Sequence, residues 1–365
     1  MRYKCLVFDH DDTVVNSTAT IHHPCFEQYL RLRYPGRHCT LEEYFLKNFD
    51  PGFMQMCQNE YGMDDAALQD ETEFWKKYVA QHIPSAYPGM NELMRRHKAE
   101  GGYICVVSHS FDENIRRDYA ENGYNVVIGH GYQFSEPVNT VAKEYSNVMF
   151  LLGCGVGYQK NSAIYDVQLE AGGYLMGVIA ALATQSNKIG VIGGGEGSEI
   201  TRGHEGFKAG AKSINPGVDI QEVYTGDWND TTGAYEAAIG MYDSGVDVIW
   251  HSGDGIGLGV VQAAEEKDMY VLGNVEDQKS LAPKNVLSGL QYEWANALDR
   301  IFTSIRDGSF VSDGEKETYM INVANGGLSM TEINDVKGWL TKDDIAVIED
   351  VYAKLGQDAI ELPEV

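Results

Sequence analysis

The chain has 365 residues, 43% hydrophobic and 22% charged, which is the composition of a folded protein with room for two or three cored domains and excludes a disordered chain. Its formal net charge of -26 repels a phosphate backbone, and no basic patch with interleaved aromatics offsets it, so nucleic acid is excluded as a partner. The six cysteines, Cys5, Cys25, Cys39, Cys57, Cys105 and Cys154, stand singly with no CxxC pair, which argues against both a zinc site and a disulfide framework.

The opening, MRYKCLVFDHDD, has no apolar stretch of signal-peptide length, and Cys5 comes too early for a lipobox, so the expectation from the sequence as given is a cytoplasmic protein with reduced thiols. Cys105 and Cys154 lie in apolar runs and read as small core residues. No run is long enough to span a membrane.

Residues 3 to 8, YKCLVF, read as a buried strand delivering Asp9, Asp11, Asp12 and Thr13 at its carboxyl end. From about Ala19 to Ile83 the pattern is helical, punctuated by Pro51 and Pro84. His10, His22 and His23 have no metal-ligand spacing with any partner. A helix in PGMNELMRRHKAEGG then leads to the strand YICVVSHS, which ends near Ser108.

These pieces resemble the haloacid dehalogenase (HAD) superfamily: motif I in Asp9-His10-Asp11-Asp12-Thr13, a helical cap over about 16 to 85, and motif II at Ser108. The resemblance implies Asp9 as nucleophile toward phosphorus, Asp11 as acid and base, Ser108 on the phosphoryl group and Mg²⁺ on Asp9. A bundle packing for stability alone remains open for the helical insert. Lys143 stands where the family has its lysine, but the strand VMFLLGCGVGYQ lacks the acids that complete the metal site, so any Mg²⁺ requirement depends on whether HAD-like activity survives.

The pattern changes near Asn122 to Tyr124 with no linker. Strands at about 125–129, 148–152, 188–192, 219–224, 247–250, 269–272 and 286–289 then alternate with helices through Arg306, and Val260 and Val261 fall on a core face. Two strand-to-helix turns are built on glycine, KIGVIGGGEGSEITRGHEGFKAGAK and VDVIWHSGDGIGLGVVQAA, with a third turn at VLGNVEDQ. Such turns close βα units with or without a ligand; two in register followed by a third favour a crevice at the carboxyl ends of parallel strands. The tail, TKDDIAVIEDVYAKLGQDAIELPEV, reads as an amphipathic helix with an acidic end.

From about Gly123 to Thr331 the chain resembles the basic membrane protein (BMP/PnrA-like) family, nucleoside-type substrate-binding proteins of ABC transporters. The matching pieces, in family order, are GYNVVIGHGYQF, VAKEYSNVMF, EAGGYLMGVIAAL, both glycine turns with their helices, DWNDTTGAYEAAIGMYDSG and NVEDQKSLAPKNVLSGL. The resemblance implies a small molecule such as a nucleoside or purine, transporter components as partners, no cofactor for binding, and a family that is normally extracytoplasmic and membrane-anchored.

The expected fold is therefore α/β, with Rossmann-like doubly wound parallel sheets of the type I periplasmic-binding-protein kind and an N-terminal HAD-like segment carrying a helical cap. Three parts are expected: 1–122 a truncated HAD-like segment, 123–335 the ligand-binding region, and 336–365 a C-terminal helix and acidic tail. Phe134 and Trp250 are the aromatic candidates for stacking on a ligand, with core packing equally open. The polar candidates are Asp254, Asn274, Gln278 and Gln291, an amide-rich set that suits a neutral polar molecule, with Gly253 of the second glycine turn as a further ligand-binding candidate. The function expected is small-molecule binding fused to an incomplete HAD-like segment. The enzyme alternative is a Mg²⁺-dependent phosphatase using Asp9.

Overall fold

The computed structural model describes residues 5–9, 15–48, 52–79, 81–82, 84–100, 103–107, 126–310 and 319–364. It divides into two compact units, one of Met1–Leu152 with Gln159–Ser162, the other of Gly153–Tyr158 with Ala163–Val365. The division falls after Leu152, not near Asn122 to Tyr124, where the sequence pattern changes.

In the first unit, strands β1 (Cys5–Asp9) and β2 (Tyr103–Val107) pair in parallel, with Asp9 opposite Val107. Between them run helices α1 (His23–Arg33), α2 (Leu41–Lys47), α3 (Phe53–Tyr61), α4 (Asp65–Val79) and α5 (Met90–Ala99). Local signals set their ends: Thr40 and Glu43 form a reciprocal capping box on α2, and Gly62 closes α3 with φ 68°. The first four helices close on Phe26, Tyr29, Leu30, Tyr44, Met56, Cys57 and Tyr61. Its rings meet mostly edge-on or tilted, as aromatic quadrupoles prefer: Phe26 lies 5.5 Å from Tyr61 at 87° and 5.3 Å from Phe53 at 70°. Later come β3 (Val126–His130), α6 (Ser135–Glu144) and β4 (Met149–Gly153), with β3 beside β4.

The second unit begins with β5 (Ser162–Val167) and α7 (Leu169–Ala183). There follow β6 (Lys188–Gly193), α8 (Ser198–Ile214), β7 (Asp219–Tyr224), α9 (Thr231–Asp243), β8 (Val248–Ser252), α10 (Asp254–Lys267), β9 (Tyr270–Gly273) and β10 (Val286–Tyr292). Helix α11 (Trp294–Asp307), short strands β11 (Met320–Ile321) and β12 (Leu328–Met330), and α12 (Lys342–Leu355) complete it. Six strands make one sheet in the order β12-β10-β9-β8-β6-β7, parallel except for the antiparallel pairing of β12 on β10. The doubly wound class is thus present, and the sequence-read strands recur within a residue or two, apart from the longer β10.

Alternation along β8 shows why helices cover both faces. Ile249 joins Ala234, Met241, Val260 and Val261 of α9 and α10 in one core, while Trp250 turns the other way and stacks on Phe207 of α8. Helices α7 and α8 touch backbone to backbone. A Cβ at Gly177 would fall on the carbonyl of Phe207, and one at Gly210 on that of Tyr174, so neither position tolerates a side chain. The tail forms the expected helix, α12, entered through a Thr341–Asp344 capping box. Among the described residues no helix is long and apolar enough to cross a membrane.

Candidate functional site

Strands β6, β8 and β9 lie side by side with their carboxyl ends together, Gly193 level with Ser252 and Trp250 level with Leu272. This is the edge at which open parallel sheets take ligands. Each strand ends in backbone that lets something approach. The β6 turn runs through Gly194 and Gly195, and β8 runs through Gly253 into α10.

What approaches the first turn is Trp228, from the loop between β7 and α9. A Cβ at Gly194 would sit 2.8 Å from its Cα and one at Gly195 2.7 Å from its ring, so the indole lies against glycine backbone that no other residue could supply. The loop is held from behind: Ile256 N donates to the Trp228 carbonyl at 3.0 Å, Thr231 Oγ1 donates to the Gly255 carbonyl at 3.1 Å, and the Asp230 carboxylate caps α9 by accepting from Gly233 N at 2.8 Å.

Two buried histidines brace the same edge. His204 Nδ1 faces Glu222 Oε1 at 2.9 Å and its Nε2 faces Ser252 Oγ at 2.6 Å. A carboxylate can only accept, so the proton sits on Nδ1 and the Ser252 hydroxyl donates to Nε2. Burial holds the His204 pKa below its ordinary value against the pull of Glu222. The hydrogen bond from His204, aided by Lys208, brings Glu222 down to about 2. His251 Nδ1 lies 3.1 Å from the Gly253 carbonyl, and its Nε2 lies 2.7 Å from Gln278 Oε1. A neutral imidazole that donates to that carbonyl needs a donor on its other nitrogen, which the Gln278 amide supplies once its oxygen and nitrogen are exchanged.

The sequence-read candidates are distributed as follows. Asn274, 3% exposed, accepts from the Tyr292 hydroxyl at 2.8 Å, and Gln278 is 7% exposed on His251. Gln291 is exposed on β10 opposite Ser329 of β12. Gly253 is the residue before α10, and Asp254 opens that helix, its side chain outside the described residues. Trp250 is fully buried, with its ring taken up by Phe207 and His204 on the α8 face, so of the two readings left open for it the structure shows core packing. Phe134 belongs to the first unit, where it is buried against Gly129. Asp9 ends β1, with its side chain outside the described residues, as are Asp11 and Ser108 altogether.

Sequence reading missed Trp228, His204, Glu222 and Ser252. The first had a signal: a tryptophan inside the polar run DWND, just past a strand, has no core periodicity to explain it. The others are separated by 18 and 48 residues and meet only through the sheet.

Comparison with known proteins agrees with this architecture. A model of the family described as ABC transporter substrate-binding protein PnrA-like matches residues 82–364, so the likeness starts well before Gly123. A model of haloacid dehalogenase-like hydrolases matches residues 6–142, overlapping the first. The CD4+ T-cell-stimulating antigen of Listeria innocua is 30% identical over 251 residues, covering 64% of this chain and 69% of that protein. The ABC transporter nucleoside-binding protein BmpA of Lactococcus lactis is 31% identical over 218 residues, covering 55% and 61%. Among solved structures, an ABC transporter solute-binding protein from Conexibacter woesei aligns with TM-score 0.56 and 26% identity, over 75% of this chain and 92% of that one. A transcriptional activator of the comK gene from Bacillus halodurans shares the fold with TM-score 0.62 and 24% identity, over 74% and 93%.

Proposed function

We propose, from the premise that this chain belongs to the PnrA-like family of ABC transporter substrate-binding proteins, that it binds a nucleoside or purine-like molecule at the carboxyl edge of its six-stranded sheet. The observation that carries the reading is the Trp228 indole laid on the Gly194–Gly195 turn. A flat ring beside a strand edge gives a base a large apolar contact at little entropic cost. Gly253 and the first turn of α10 add backbone donors, and Gln291, exposed on β10, offers an amide without charge, while Asn274 and Gln278 are engaged by Tyr292 and His251 behind the edge, a set that suits a neutral ligand. The nucleoside-binding name of the Lactococcus lactis relative supports the ligand class. The partners on this reading are a small molecule and the components of an ABC transporter, with no cofactor required.

The test is a thermal-shift panel at millimolar ligand, because whatever binds only the native state raises its stability by mass action. Purine nucleosides should raise the melting temperature more than sugars or amino acids do, and Trp228→Ala should abolish that rise without lowering the unliganded transition much. A panel that leaves a folded protein unmoved sinks the reading.

A second reading has one observation in its favour. The parallel register sets Asp9, the last residue of β1, opposite Val107, the last residue of β2, and a HAD-like nucleophile site requires such neighbouring strand ends. On the first reading this region is an incomplete HAD-like segment fused to the binding protein. Hydrolysis of a generic phosphate ester with Mg²⁺ should then match that of Asp9→Asn. A Mg²⁺-dependent rate in the parent that the variant lacks would establish the phosphatase instead.

A further inference from the structure

The loop after β4, strand β5 and the first turn of α8 converge in the second unit. Each contributes one donor atom: the Cys154 thiol sulfur and a carboxylate oxygen from each of Asp166 and Glu199, all within 4.8 Å of one another. Neither a run of acids nor a helix face produces this set, since its members come from three separate elements. Cys154, read from its apolar run as a small core residue, is only partly buried, with two carboxylates within 4.8 Å of its sulfur.

The surroundings orient the donors. Asp166 is 1% exposed; its Oδ1 accepts from Val167 N at 2.8 Å and its Oδ2 from Arg202 Nη2 at 2.7 Å. The same guanidinium reaches Glu170 through Nη1 and is drawn to Glu199 as well, so one positive charge serves three carboxylates.

We propose that Cys154, Asp166 and Glu199 are the ligands of a thiophilic divalent cation of the zinc class, with Arg202 orienting Asp166 from behind. A sulfur donor selects against Mg²⁺ and Ca²⁺, which take oxygen alone, while cysteine sulfur and carboxylate oxygen are each zinc ligands and three protein donors leave one position of a four-coordinate ion for water. On binding, the thiol S–H bond breaks, a sulfur–metal bond forms and one proton leaves to solvent, with no change of oxidation state. Because Glu199 lies in the first turn of α8, just after the glycine turn, the ion would tie that turn to β5.

The experiment uses the full chain, stripped with a chelator, kept reduced and titrated with Co²⁺. A thiolate-to-cobalt charge-transfer band in the near ultraviolet should grow to saturation at about one ion and about one released proton per chain. Zn²⁺ should abolish it and Mg²⁺ should leave it unchanged. Cys154→Ser should remove the band. Glu199→Gln, which leaves the thiol and the Arg202–Asp166 pair in place, should weaken Co²⁺ binding about tenfold or more. Absence of the band in the parent, a band that survives Cys154→Ser, or parental affinity in Glu199→Gln each overturns the site. Should Cys154→Ser not fold, the Glu199→Gln titration decides.

Discussion

The helical part of the first unit and the six-stranded second unit bury polar groups and pack helices by opposite means. In the helical part, rings from four helices fill the core, and Glu71 of α4 is 4% exposed among Cys25, Tyr29, Tyr44 and Cys57. Burial alone raises its pKa to about 7. In the second unit, helices meet at glycine backbone and the buried acids are tied: Asp166 to Arg202, and Asp247 to Thr184 Oγ1 at 2.6 Å and to the amides of Gln185 and Ser186 at 2.7 Å. A core built from side-chain volume can hold one strained charge and adjust. One built from backbone contact has no slack, and its charges must be satisfied where they stand.

The most disruptive change expected is Gly210→Val, which would force α7 and α8 apart at their closest approach and cost about 3 kcal/mol or more. Cys57→Ala in the ring-filled core should cost only about 1 kcal/mol, since a small group leaves a gap that rings can narrow. Paired denaturant curves check both, and equal losses would break the contrast.

Next comes Glu71→Gln. The folded pKa of Glu71 is raised, so the unfolded chain gives up its proton first. The resulting penalty is absent below about pH 4, grows as pH rises toward 7 and is constant above. The variant should therefore match the parent at low pH and exceed it at pH 8 by on the order of 3 kcal/mol. A melting-temperature difference that does not change with pH would show that the parent carboxylate is already stabilised.

Smallest is the mirror case, Glu222→Gln. Its folded pKa is lowered to about 2, so the parent gains stability above the unfolded value near 4.3 and loses it as pH falls toward 2. The variant should lose that acid limb and little else, because the side chain is 26% exposed and water screens the interaction. A steeper acid limb in Glu222→Gln than in the parent would contradict the His204–Glu222–Ser252 arrangement.

By itself the sequence determined whatever depends on neighbours along the chain: the strand and helix periods of the doubly wound region, the glycine turns at β6 and β8, and the amphipathic tail helix. It also marked the right edge of the sheet, because a β-branched run ending in glycine points to the carboxyl end of a strand. Tertiary structure alone decided the rest. Strand β5 went unread because an aspartate interrupts its apolar run, and that aspartate is met by Arg202, 36 residues away, as well as by the neighbouring Val167 amide. Trp250 and Trp228 are equally aromatic in sequence. The former sits on a strand face covered by α8, whereas the latter lies on a loop over the glycine turn, and only the folding of helices onto the sheet separates a core ring from an edge ring. Cys154 had no spacing partner within reach, since Asp166 and Glu199 meet it through three different elements. Periodicity reports which way a side chain turns from its own strand or helix, but what waits there is chosen by chain distant in sequence.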